Sequence, residues 1–157
     1  MQSETDSEVV AALLDHFYTG DPDEAIKKTV SKLKGTFALV ILFADQKDVI
    51  YSSRNVSPIV ATLCKEGAML ASDLTALCRF TNRYFVVPEY HILELHKDKL
   101  VLKDFDGTVK EPEFLEVDWE LNSAGKIKYL DLTVKDGKMT HAKVNMGAPV
   151  LIAKEVP

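Results

Sequence analysis

The stretch Gly35–Ala44, GTFALVILFA, limits the folds open to this chain more than any other. From Phe37 to Ala44 it carries neither a charge nor a polar side chain, and Asp45-Gln46-Lys47-Asp48 closes it. A run that short, and that rich in Val, Ile and Phe, predicts a strand rather than a helix. With no polar side to turn toward water, the strand is expected to be buried on both faces, which requires a layer above and a layer below.

The 157 residues are enough for one domain, 1–157, burying roughly 70% of the surface its unfolded form exposes. A formal charge of −5 gives no basic face for nucleic acid or an anionic membrane, so neither is expected as a partner. No apolar run approaches the length of a membrane span, and the opening MQSETDSE is acidic, unlike a signal peptide. Cys64 and Cys78 sit among apolar residues with no CxxC. They read as reduced core thiols of a cytoplasmic protein, against the alternatives of a disulfide or a nucleophile.

Thr5-Asp6-Ser7-Glu8 is a capping box, and Val9, Val10, Leu13, Leu14 and Phe17 then share one helical face up to Gly20. A second helix starts with Asp21 as cap and Pro22 at its first position. Ala25, Ile26, Val30 and Leu33 form its apolar side, while Lys27, Lys28, Lys32 and Lys34 crowd its far end. Those lysines fit either a solvated helix face or a phosphate site. Past the buried strand come a hairpin return at Val49–Arg54, strands at Ile59–Cys64 and Ala68–Ala71, and a short helix at Leu74–Phe80. Strands at Tyr84–Val87, Tyr90–His96 and Lys99–Phe105 follow, with turns at Lys97-Asp98 and Asp106-Gly107. Glu111–Asn122 is polar and proline-bearing and reads as a linker. Ile127–Val134 and Lys138–Met146 form a last hairpin about Asp136-Gly137, with Leu130, Leu132 and Val134 facing Ala142, Val144 and Met146.

Metal and cofactor signals are lacking. His91 and His96 lie an odd number of residues apart and would face opposite sides of one strand, and His16 and His141 are isolated. Asp104, Asp106 and Gly107 faintly suggest a calcium loop but supply too few ligands, and a hairpin turn fits them better. No Gly-rich phosphate loop is present. Neither a metal nor a cofactor is expected.

Five pieces carry a resemblance: SETDSEVVAALL, LKGTFALVI, SSRNVSPIV, ASDLTAL and VDWELNSA. In that order and spacing, residues 3 to about 124 resemble the C-terminal half of the glutaminase domain of glucosamine-6-phosphate synthase, a class II glutamine amidotransferase. Two departures stand out: Val56, where the family usually has a glycine before Ser-Pro, and Thr62-Leu63-Cys64, where it has a glycine-rich turn. Residues from about 124 to 157, KIKYLDLTVKDGKMTHAKVNMGAPVLIAKEVP, are similar to an internal stretch of diaminopimelate epimerase. Together the two resemblances imply a chimera joined near Ala124–Lys126, with residues 1–124 from one parent and 125–157 from the other.

The first resemblance implies a nucleophilic N-terminal cysteine, an oxyanion hole and a substrate-clamping arginine, none of which has a counterpart here. Only Asp6 carries over. The family's aspartate at that position holds the α-ammonium of glutamine, and its bland role is a first-turn carboxylate favoured by the helix dipole. The epimerase's two cysteines lie outside the stretch resembled. A non-catalytic domain is therefore the leading expectation. A glutaminase subunit drawing its nucleophile from a partner chain, or a glutamine-binding module, is the alternative. The expected fold is α+β, with mostly antiparallel sheet layers covered by two N-terminal helices: a partial αββα sandwich completed by the C-terminal β-hairpin. Stripped strand edges, or an exposed apolar sheet face, are expected to favour a homodimer.

Overall fold

Two helices come first, each beginning at a residue suited to its end. α1 covers Asp6–Phe17 and α2 covers Pro22–Val30. The Asp21 carboxylate accepts from the N–H groups of Asp23 (3.0 Å) and Glu24 (3.3 Å), satisfying two orphan donors of α2. The capping box of α1 forms differently: the Thr5 hydroxyl makes no capping bond, and the Glu8 N–H donates to the Thr5 carbonyl at 3.3 Å. A computed structural model describes residues 5–117 and, beyond them, the backbone of two further strands.

The strands are β1 (Phe37–Ile41), β2 (Ile50–Asn55), β3 (Val60–Cys64), β4 (Gly67–Ala71), β5 (Arg83–Val86), β6 (His91–Leu95) and β7 (Leu100–Asp104), followed by β8 (Val109–Lys110), β9 (Leu115–Glu116), β10 (Tyr129–Lys135) and β11 (Lys138–Asn145). A five-stranded sheet runs β1-β2-β6-β7-β8 and a four-stranded one β4-β3-β5-β9, antiparallel throughout. The architecture is thus α+β, two helices with antiparallel sheets. Ile26 and Val30 of α2 bury against Ile41, Tyr51 and Ile92 on one face of the five-stranded sheet. Its other face, through Leu93, Leu95 and Leu102, meets Ile59, Ala61, Phe85 and Val87 of the second sheet. Each such fully buried aliphatic side chain contributes about 1.5–3 kcal/mol. On the far side of the second sheet, Leu77, Tyr84 and Val117 gather a third cluster.

Three expectations need correction. β1 is not buried on both faces: Ile41 is buried, but Val40 is 57% exposed and Leu42 74%. The strand lies at the sheet edge, where helices cover one face and the second sheet does not extend over the other. The helix expected at Leu74–Phe80 shrinks to a 3₁₀ turn, Leu74–Ala76: Asp73 caps it, accepting from the Thr75 N–H (2.7 Å) and hydroxyl (2.5 Å), but the N–H groups of Ala76, Leu77 and Phe80 bond three residues back, to Asp73, Leu74 and Leu77, rather than four. Within the expected linker, β9 pairs with β5, Leu115 opposite Tyr84.

β10 and β11 pair with Leu130 opposite Val144 and Leu132 opposite Ala142, as expected. A register shift at Thr133/Val134 then puts Val134 opposite Met139. β11 passes close to β9, but among the described residues no ladder joins the hairpin to either larger sheet. Asp136-Gly137, Met146, Trp119 and the expected junction at 124–126 lie outside the described residues.

Candidate functional site

Asp6 is the first residue of α1 and is exposed. Thr5 before it is extended (φ −90°, ψ 141°), so the carboxylate stands where the unpaired N–H groups of the first turn concentrate positive potential. The carboxylate there is open to a cationic group from solvent. That is the chemistry needed to grip an ammonium.

The other candidates are accounted for by the fold. Cys64 and Cys78 are free and half-buried, and their thiols donate to the carbonyls of Gly67 (3.4 Å) and Thr75 (2.9 Å). Among the described residues, neither thiol is hydrogen-bonded to a base that could activate it. Lys27, Lys28, Lys32 and Lys34 are all exposed, and Lys28 pairs with Glu24 one turn back at 3.1 Å. Asp104 accepts from the N–H groups of Asp106 (3.0 Å) and Thr108 (2.9 Å) and pairs with Lys110 at 2.9 Å. Lys110 and these N–H groups hold its carboxyl below the usual carboxylate range, as a turn would. Among the described residues, no three metal-ligating side chains cluster. No helix among them is long and apolar enough to cross a membrane.

A charged network outside the sequence expectations lies beneath α2. Lys103 pairs with Asp23 at 2.6 Å and also with Glu94, whose other oxygen lies 3.0 Å from His96 Nε2. Glu94 stands opposite Tyr51, and Lys103 opposite Ile92, on the side of the sheet that faces the helices. Burial alone would lower the Lys103 ammonium, but Asp23 and Glu94 more than offset it and hold it well above the ordinary lysine value. Burial works against the Glu94 charge too, yet Lys103 and His96 keep its carboxyl below the ordinary glutamate value. His96, set aside above as a metal ligand, is thus a neighbour of Glu94. A glutamate set between Leu93 and Leu95, both core residues, was the available signal.

A second polar knot joins two loops. Arg54 donates to the carbonyls of Val87, Val56 (3.3 Å) and Ser57 (3.5 Å), and lies 3.7 Å from Glu89. Glu89 in turn accepts from the Val56 N–H at 3.2 Å. Val56 has φ +65°, a left-handed conformation that a β-branched residue adopts only under strain.

What the fold and this site define is a two-sheet α+β domain with an exposed carboxylate at the start of its first helix. A family profile described as "Glutamine amidotransferase domain" matches residues 1–79, half of the chain. The chain belongs to that family. It is similar to proteins named glutamine–fructose-6-phosphate aminotransferase (isomerizing): 36% identical over 138 residues to that of Thermococcus kodakarensis. The corresponding figures are 34% over 134 residues for Thermotoga maritima and 31% over 134 for Caldanaerobacter subterraneus. These matches cover 85–86% of the chain but only 22–23% of the relatives, so the chain spans less than a quarter of their length.

Two expectations change as a result. The expectation that this is no enzyme is overturned, because the family is one of amidotransferase domains and the matched relatives are named as aminotransferases. The chimera gains no support. A match covering 85% of the chain does not fit within residues 1–124, so similarity to the aminotransferases continues past Ala124, where the junction was expected.

Proposed function

We propose that this chain forms part of a glutamine-hydrolysing domain, which frees the amide nitrogen of glutamine for transfer, and that Asp6 holds the α-ammonium of the substrate. The family match over residues 1–79 carries the reading, since it includes the Thr5-Asp6-Ser7-Glu8 turn with Asp6 exposed. An exposed ion pair contributes only ~0–1 kcal/mol. Asp6 therefore orients glutamine within a pocket whose nucleophile, oxyanion donors and carboxylate clamp come from polypeptide outside these residues. In the same reading the helices and two sheets are part of an αββα sandwich, and the hairpin Tyr129–Asn145 extends its cover as one domain. The nitrogen acceptor named in the relatives, fructose 6-phosphate, would bind outside these residues as well.

Ammonia release from glutamine tests the proposal, measured for this chain alone and mixed with the N-terminal part of a relative's amidotransferase domain. Turnover that needs both pieces, and that falls about tenfold or more in Asp6→Asn through loss of a charge-assisted hydrogen bond, supports it. No turnover from the mixture, or an unchanged rate in Asp6→Asn, overturns it.

A further inference from the structure

Two of the places where the chain passes between its sheets are tied into one joint. Residues 56–59 lead from β2 of the five-stranded sheet to β3 of the four-stranded one, and residues 87–90 lead back from β5 to β6. Arg54 stands where they meet, its side chain 12% exposed. It donates to carbonyls of both loops: Val87 in one, Val56 (3.3 Å) and Ser57 (3.5 Å) in the other. Its own carbonyl accepts from the N–H of Tyr90 at 3.0 Å, and Tyr90 is left-handed at φ +54°. Val56 is held in a rarer shape. The Ser57 N–H donates to the Asn55 carbonyl at 2.7 Å, closing a three-residue ring around Val56. Its φ of +65° makes this the strained form of the γ-turn and not the common inverse form.

We propose that Arg54 and Glu89 form a clasp that holds this turn against the preference of a β-branched residue, and that opening the clasp lets residues 55–57 relax to a second conformation. Both backbone polar groups of Val56 are gripped: the Glu89 carboxylate accepts its N–H at 3.2 Å, and Arg54 donates to its carbonyl. The two side chains themselves lie 3.7 Å apart, so each helps to orient the other. Bringing Val56 to negative φ must rotate a peptide on one side of it. That rotation pulls the N–H from Glu89 or the carbonyl from Arg54. A hydrogen bond to a charged group and the strain of one residue at positive φ are of similar size, so a single charge decides which conformation wins. The clasp rests on contacts within these residues and not on the glutaminase reading.

Nuclear magnetic resonance of the chain reads the turn directly, because positive φ brings a residue's own N–H and Hα close together. Wild type should give strong intraresidue cross-peaks at Val56 and Tyr90 and a protected Ser57 amide. In Glu89→Gln the Val56 cross-peak should weaken and Ser57 exchange should quicken about tenfold. The Val117 amide, bonded to Asn82 at 2.8 Å on the far side of the second sheet, should not change. Urea unfolding supplies a second reading. Glu89→Gln should lower the folded-to-unfolded ratio about tenfold more in a Val56→Gly background than in the native one, because glycine has no strain to release when the clasp opens. A weak Val56 cross-peak in wild type overturns the proposal. So does an undiminished cross-peak or unchanged Ser57 exchange in Glu89→Gln, or equal losses in the two backgrounds, since the loop's own sequence would then set the turn. Should Glu89→Gln fail to fold, Arg54→Lys, which keeps the charge without the forked donors, is read in its place with the same outcomes.

Discussion

Lys103 and Asp23, eighty residues apart, meet in a 2.6 Å ion pair that fastens the first turn of α2 to β7. The lysine also reaches Glu94 on β6, so one cation serves two carboxylates across three elements. With side chains only 13–33% exposed, these charges depend on each other more than surface pairs do.

Lys103→Met should therefore cost about 2–3 kcal/mol, because it leaves Asp23 and Glu94 facing each other with no counter-ion. Urea unfolding reads this directly. A triple change that also replaces Asp23 by Asn and Glu94 by Gln should recover most of the loss, whereas additive losses would show that the network is not coupled.

The same network sets an acid limit. Glu94 is held below its ordinary value of 4.5 by Lys103 and His96 against the pull of burial. Its contribution is fully present above that pH and disappears as pH falls through the lower, folded value. Melting temperature should drop on acidification below about pH 4.5, and Glu94→Gln should flatten that part of the curve.

At the alkaline end, burial raises the phenols of Tyr84 and Tyr51, and Glu94 and Asp23 add to the effect at Tyr51. Each disfavours the charged form in the folded state, so stability is lost as pH rises past the ordinary value of 10.0. Absorbance near 295 nm should show these two tyrosines ionising late and together with unfolding; early, independent ionisation of both would contradict this burial.

Val56 offers a stabilising change. Its φ of +65° suits glycine, and its side chain is 60% exposed, so little packing is lost on removing it. Val56→Gly should raise stability by about 1 kcal/mol, relief of strain outweighing glycine's greater freedom when unfolded. A lower unfolding midpoint would show that the loop tolerates valine without cost.

Most of the hairpins were legible because each turn is punctuated by Gly, Asp or Lys at fixed spacing, as at Asp45–Asp48, Lys97-Asp98 and Asp106-Gly107. β1 was read correctly as a strand but not in its exposure, since an all-apolar run cannot tell which neighbours exist to cover it. β8 and β9 were invisible, as two residues carry no period. The Asp23–Lys103 pair could not be foreseen between residues eighty positions apart. Asp6 stood out only through the resemblance, because an acidic residue in a first helical turn is ordinary. The non-catalytic expectation failed for another reason: missing catalytic parts in a chain covering 22–23% of its relatives do not describe the whole protein.

The brevity of β8 has an effect beyond its own sheet. Val109–Lys110 offers only two residues of backbone at the edge opposite β1, one of them charged. A strand added at that end of the five-stranded sheet would find only those two residues to pair with. That sheet therefore lacks the two long unguarded edges on which open-ended growth into filaments depends.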